Sequence, residues 1–239
     1  MERVSFFVDA HSKRGARRKI NQDCICINKW ISIQSDADQY SDCLETAEKG
    51  QIFLLADGLG GHEYGEVASR EATKIISNKF LKRENFDLNE AIAHAHTELT
   101  LQGQTSTKPM GTTIVGLVLK ENEATFFNIG DSRGYKIGSS VLQMTQDDRS
   151  DQINQNVINK CLGGGIQLTR PYTCKSNFDH KDIFLLVSDG ISNWIDEEDI
   201  KSIIKENHSN PCEMLCQKAQ EVGSGDDVSA ILVRIEDQT

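Results

Sequence analysis

The segment Gln51-Ile52-Phe53-Leu54-Leu55-Ala56-Asp57-Gly58 constrains the fold more than any other stretch of the chain. An apolar run closed by glycines reads as a buried strand entering a tight turn, and this turn delivers a carboxylate to a sheet edge. Beyond the glycines, a helical pattern opens at Glu66, with Val67, Ile75, Ile76, Phe80 and Leu81 on or near one face. The unit is strand, glycine turn, helix. It is not a dinucleotide fingerprint, because the sixth position counted from Gly58 is Glu63, and no Gly-Lys-Ser/Thr phosphate loop occurs anywhere. An acidic turn cradles anions poorly. Asp57 beside Gly58, whose carbonyl can turn the same way, suits a hard cation that takes oxygen ligands. The plainer alternative is an ordinary turn aspartate.

The pattern recurs at Phe184 to Gly190, FLLVSDG, again an apolar run closed by Asp-Gly. Asp57, Asp131 and Asp189 follow expected strands, whereas Asp23 and Asp226 precede them. Strand ends and strand starts alternate along one edge of an antiparallel sheet or of two stacked sheets, so all five can gather there. Carboxylates packed together raise one another's pKa and call for counter-charge. Only Arg133 lies within two residues of any of the five, with Arg18 farther from Asp23. Divalent cations are therefore the expected counter-charge, and an oxygen-only set favours magnesium or manganese over zinc. Two such ions roughly 3.5–4 Å apart lower the pKa of a bridging water and orient an in-line attack on phosphorus.

No Pro-, Gly- or Ser-rich linker divides the 239 residues, so a single domain over 1–239 is expected. A net charge of -10 argues against a nucleic-acid surface; the basic cluster Lys13 to Lys19 is too short to reverse that balance. No run is apolar enough for a membrane span, and the first residues lack a signal-peptide pattern. Seven cysteines without framework spacing suggest reduced thiols in a cytoplasmic protein. Cys24 with Cys26, and Cys212 with Cys216, read as core thiols rather than zinc ligands.

Strands are expected over Met1 to Ala10, Cys24 to Ile33 and 51–56, with residues 34–50 a polar connecting loop. Asp87 can cap a second helix, on which His94 and His96 point to different faces. IVGLVLK and ATFFNIG form a hairpin, and GYKIGSSVLQMT adds two short strands as a meander. Residues 146–160 are polar and weakly helical. A strand at 181–190 follows, then helices from Asp196 and from Asn210, the latter with Pro211 first and Gly223 past its end, and a last strand AILVRI.

In order, Arg18-Lys19-Ile20-Asn21-Gln22-Asp23, ADGLGGHEYGEVAS, Met110-Gly111-Thr112-Thr113, Asn128-Ile129-Gly130-Asp131-Ser132-Arg133, Val187-Ser188-Asp189-Gly190 and Asp226-Asp227-Val228-Ser229 resemble the metal-dependent protein phosphatases of type 2C, especially compact bacterial serine/threonine members. The resemblance spans nearly the whole chain. It implies an α+β fold, a four-layer α-β-β-α sandwich of two antiparallel sheets flanked by helix pairs. It implies that Asp57 bridges two manganese or magnesium ions, that the Gly58 carbonyl binds one, and that Asp189 and Asp226 hold the other. Asp23 acts through metal-bound water, Asp131 with Asp189 matches a third, weaker site, and Arg18 matches the guanidinium that grips the substrate phosphate. Arg18, Asp57 and Asp189 are the expected catalytic residues. The partners implied are a phosphorylated protein substrate and an opposing serine/threonine kinase, with the chain a monomer.

Three positions depart from the family pattern: Gln22 where Glu is common, Asp227 where Asn is usual, and a shortened flap between Thr145 and Gly163. His62 either orients the glycine turn or acts as a general acid. Ser132, Arg133, Thr112 and Thr113 are expected to support the metal edge. A cysteine-based phosphatase needs Arg six positions after its Cys, which no cysteine here has. The competing readings are a non-catalytic phosphatase-like binding module and a phosphatase of small metabolites.

Overall fold

A computed structural model describes residues 4–59, 64–82, 85–105, 109–148 and 160–237. The chain opens with β1 (Val4–Lys13), β2 (Asp23–Ile27), β3 (Trp30–Ile31), β4 (Ala37–Glu45) and β5 (Gln51–Asp57), followed by helices α1 (Gly65–Lys82) and α2 (Leu88–Thr105). Next come β6 (Gly111–Thr112), β7 (Ile114–Lys120), β8 (Glu123–Ile129), β9 (Arg133–Ile137), β10 (Val141–Gln143), β11 (Leu162–Gly163), β12 (Tyr172–Asn177) and β13 (Ile183–Val187). The short α3 (Asp189–Ser192), α4 (Glu197–Glu206), α5 (Pro211–Glu221) and β14 (Val228–Asp237) complete it.

Two six-stranded sheets form, in the orders β10-β9-β13-β14-β1-β4 and β12-β8-β7-β5-β2-β3, and the pairings are antiparallel. The alternation along β5 shows why. Phe53 and Leu55 enter the core between the sheets with Phe6, Val8, Phe126 and Phe184, while Ile52 and Leu54 face Ala72, Ile76 and Leu99 of α1 and α2. A strand covered on both sides reads as a continuous apolar run. β14 is the counterpart in the other sheet: Ile231 and Val233 face inward, and Leu232 packs with Leu215 of α5 and Ile200 of α4. The layers are helices, sheet, sheet, helices, as the resemblance implies. Each such buried Phe, Leu or Ile contributes about 1.5–3 kcal/mol relative to exposure.

Residues 34–50 are not a plain connecting loop. Within them β4 pairs along β1 from Ala37 opposite Lys13 to Glu45 opposite Ser5. Its polar sequence suits an edge strand: Tyr40 and Leu44 lean on the core while alternate residues face water. The expected strand Cys24 to Ile33 folds back on itself at Asn28, which has φ 53° and whose Oδ1 accepts the Ile52 N–H at 3.0 Å. The expected meander is two hairpins in different sheets, because the chain crosses between β8 and β9 at Gly130-Asp131-Ser132. The expected strand at 181–190 stops at Val187, and Asp189 opens α3 instead.

The caps follow the expected chemistry. Asp87 Oδ1 accepts the Glu90 N–H at 3.1 Å, and Asp196 Oδ1 accepts the Asp199 N–H at 2.9 Å. At α5, whose Asn210 makes no side-chain cap, Asp9 of β1 reaches across to accept the Cys212 N–H at 2.8 Å. No helix among the described residues is long and apolar enough to cross a membrane.

This topology makes one edge chemically distinct. β1 and β14 pair from Val4 opposite Asp237 to Lys13 opposite Val228, so the loop after β1 lies beside the residues before β14. The ends of β5, β8 and β13 and the starts of β2, β9 and β14 reach the same edge.

Candidate metal centre

Asp23, the first residue of β2, lies directly opposite Asp57, the last of β5. The β5 end is fixed by its neighbours. Asp57 N–H donates to Thr113 Oγ1 at 3.1 Å, while its carbonyl accepts from Thr113 N and Thr112 Oγ1, both at 2.8 Å. Gly58 N–H donates to the Gln22 carbonyl at 3.1 Å, and a Cβ at Gly58 would stand 2.3 Å from the Gly65 carbonyl oxygen. Glycine is required there so that the start of α1 can close on the turn.

Asp131 sits in the crossing between the sheets, Asp189 opens α3 with its Oδ2 accepting from Asn193 Nδ2 at 3.2 Å, and Asp226 stands two residues before β14. Asp57 interacts electrostatically with Asp23, Asp189, Asp226 and Asp131. The five carboxylates thus share one edge, as the strand pattern predicts.

Their electrostatics are unfavourable. Burial, then the neighbouring carboxylates beginning with Asp23, push Asp57 well above the usual carboxylate range. Asp57 keeps some solvent contact, but densely packed protein around it makes desolvation the largest cause. Asp23 is fully buried and is likewise pushed up, first by burial and then by Asp227. The hydroxyls of Ser229 and Ser188 soften that shift, yet neither Asp23 oxygen has a partner within hydrogen-bond geometry. Ser229 instead donates to Ser12 Oγ at 2.8 Å, which also accepts from Asn21 Nδ2 at 2.9 Å.

Arg18 brings a cation to this edge. Its Nε and Nη2 donate to Asp226 Oδ1 and Oδ2 at 2.6 and 2.7 Å, a fork-to-fork pair. Burial works to lower the guanidinium pKa, but Asp226, with Asp57 and Asp227 behind it, outweighs burial and raises it. Among the described residues, Asp23 and Asp57 enter no ion pair.

The expected supports are in place. Ser132 Oγ lies 3.0 Å from Thr113 Oγ1, and Arg133 pairs with Asp147 at 2.8 Å while its Nη1 donates to the Ser192 carbonyl at 3.4 Å. Gln22 works through its backbone: its carbonyl accepts from Gly58 N and from Ser69 Oγ at 2.7 Å. His62 and most of the flap, residues 149–159, lie outside the described residues. What the sequence does not reveal is what Asp227 holds. Its carboxylate accepts the Gly15 N–H at 2.8 Å and the Gln22 N–H at 2.9 Å, contacts with residues more than 200 positions away.

The buried orphan oxygens of Asp23, the charge crowding on Asp57 and the all-carboxylate donor set among the described residues fit hard divalent cations. Among the described residues no three His, Cys, Asp or Glu side chains form a ready-made cage. A spread set of carboxylates matches magnesium-like ions, which keep several waters and take one or two carboxylates each. The buried thiols Cys26 and Cys161 are unsuited to nucleophilic chemistry, because burial pushes them up to about 12 and about 11.

A family model described as Protein phosphatase 2C matches residues 34–220. The chain is 28% identical over 226 residues to a serine/threonine phosphatase stp of Listeria innocua, covering 79% of this chain and 86% of the relative. It is similar to the structure of serine/threonine phosphatase Stp1 from Staphylococcus aureus, with TM-score 0.77, 27% identity, and coverage of 99% and 96% of the two chains. It also shares the fold of the catalytic domain of serine threonine protein phosphatase PstP in complex with 2 manganese ions, with TM-score 0.79, 24% identity, and coverage of 98% and 100%.

Proposed function

Because the chain belongs to the protein phosphatase 2C family, we propose that it is a metal-dependent phosphoserine/phosphothreonine protein phosphatase. The observation that carries this reading is the gathering of five carboxylates at one edge beside a half-buried arginine fork. Asp57, the Gly58 carbonyl, Asp189 and Asp226 are proposed to hold two manganese or magnesium ions, with Asp23 behind them and Asp131 beside Asp189 at a third, weaker position. Such ions, when bound, supply the missing counter-charge and make a water nucleophilic near neutral pH.

The chain's own groups do the rest. Arg18 presents two parallel N–H donors, a geometry that matches two oxygens of a phosphate as well as the carboxylate it holds here. Thr112, Thr113 and Ser132 fix the Asp57 strand end, so the carboxylate is held before substrate arrives. The site lies on a sheet edge rather than in a closed core, which suits a phosphate carried on a protein.

The substrate class entails a serine/threonine kinase that installs the phosphate. Seven free cysteines support a reducing, cytoplasmic setting. The pairing of β1 with β14, which closes the site from both ends of the chain, supports one domain; a monomer is the simplest assembly that this site needs.

Asp189→Asn tests the assignment. Isothermal titration should show weakened manganese uptake and turnover should fall about 10²–10³-fold with the fold retained. Wild-type-like turnover and manganese affinity contradict it. Metal and phosphopeptide binding by the unaltered protein without any turnover would favour the binding-module alternative.

A further inference from the structure

The segment that carries Arg18 has little secondary structure of its own. Between the end of β1 and the start of β2, its internal bonds are a turn in which Arg18 N–H donates to the Gly15 carbonyl at 3.0 Å, and Arg14 Nη1 bonded to the Arg18 carbonyl at 2.7 Å. Arg14 ties its start to Asp36, donating from N–H to the carbonyl at 3.0 Å and from Nε to Oδ1 at 2.7 Å, and its middle rests against the loop before β14. Gly15 is pressed so closely there that a Cβ would stand 2.2 Å from the Asp226 carbonyl carbon, and Arg17 N–H donates to the Gly225 carbonyl at 3.0 Å.

Asp227 closes the arrangement. It is 2% exposed, and its two oxygens take the two ends of the Arg18 segment separately: Oδ1 accepts from Gly15 N and Oδ2 from Gln22 N. One rigid carboxylate therefore sets the span of the loop across which Arg18 projects. Asp227 N–H also donates to Asp226 Oδ1 at 2.8 Å, the oxygen that Arg18 Nε reaches. Clamp, carboxylate and guanidinium form one connected unit. A charged acceptor for two backbone donors is the strong form of such a clamp, and an amide side chain could offer only one oxygen in its place.

We infer that Asp227 is the positioning residue for phosphate recognition, holding Arg18 at the metal edge by clamping Gly15 and Gln22. This rests on the proposed role of Arg18. Asp227 touches no substrate itself; it acts through the loop.

A double-mutant cycle on a phosphothreonine peptide with manganese tests it, with KM and kcat measured for the wild type, Asp227→Ala, Arg18→Ala and the double variant. The expected result is that Asp227→Ala raises KM about tenfold, the scale of one charged hydrogen bond, and by more than it lowers kcat. In the Arg18→Ala background the same change should add less than about twofold, because the group being positioned is gone. A KM within about twofold of wild type for Asp227→Ala, or full additivity with Arg18→Ala, overturns the inference. If Asp227→Ala does not fold, the same cycle with Asp227→Asn decides, with an intermediate KM effect that vanishes without Arg18. If Arg18→Ala alone leaves KM unchanged, the reading of Arg18 fails first, and the clamp inference falls with it.

Discussion

Asp23 and Asp57 face each other across the β2–β5 ladder, two carboxylates at directly opposed positions where like charges are destabilising. Each is held above the usual carboxylate range, first by burial. The strand pairing that places them is dictated by the apolar residues behind, Ile25 and Leu55 among them. The core therefore forces together two groups that repel, a repulsion that a divalent cation would relieve.

Asp57→Asn should separate stability from function. In chelator the variant should melt a few degrees higher than wild type, since one charge of the opposed pair is gone. Saturating manganese should raise the wild-type midpoint by roughly 5–10 °C but leave the variant nearly unmoved. Scanning calorimetry with and without manganese reads both; a variant that melts lower in chelator, or gains as much from manganese, contradicts the pairing argument.

Arg18→Lys keeps the charge and removes the fork. Since Nε and Nη2 act together on two oxygens, the lysine variant should raise KM for a phosphopeptide about tenfold. Steady-state kinetics that show wild-type KM for the lysine variant would mean that charge alone suffices.

Gly58→Ala should destabilise through overpacking. The added Cβ meets the Gly65 carbonyl oxygen at 2.3 Å, and both partners are backbone. A cost of about 1–3 kcal/mol corresponds to a drop of roughly 2–10 °C in the thermal midpoint. A midpoint within a degree of wild type would show that the turn can widen.

β6 and β11 pair as a separate two-stranded ladder, Gly163 opposite Gly111, and acid should loosen it through His96. Its Nδ1 accepts the Gly163 N–H at 3.2 Å, which requires the neutral ring, and burial lowers its pKa below the ordinary 6.5. Between the lowered value and 6.5 the unfolded chain binds a proton that the folded chain does not. Stability is thus complete above about pH 6.5 and falls as pH drops below it. His11, also lowered by burial, adds in the same direction. Asp23 and Asp57, raised by burial, work in the opposite direction, so the test is the difference between two proteins: from pH 7.5 to 5 the midpoint of His96→Gln should fall less, or rise more, than that of the wild type, and an unchanged slope would rule His96 out.

The strands legible in the sequence are those buried on both faces. β5, β7 and β13 announce themselves as apolar runs, and the aspartates at or beyond the ends of β5 and β13 mark the carboxylate edge. The illegible strands, β4 and β12, are sheet edges whose exposed polar residues carry no such signal. Nor could local pattern show that β8 and β9 belong to different sheets, because that choice is made by packing. The five carboxylates were readable since each adjoins a strand terminus. The Asp227 clamp was not, since its partners are 212 and 205 residues away and its geometry exists only after β1 pairs with β14.

We propose that the carboxylate edge hydrolyses a phosphomonoester with the help of divalent ions. The most direct test is phosphate release from a phosphothreonine peptide by the purified protein with manganese, with magnesium and with chelator. Turnover with manganese or magnesium, lost in chelator, is the expected result. Turnover that persists in chelator, or none with either metal although calorimetry shows metal bound, would contradict it.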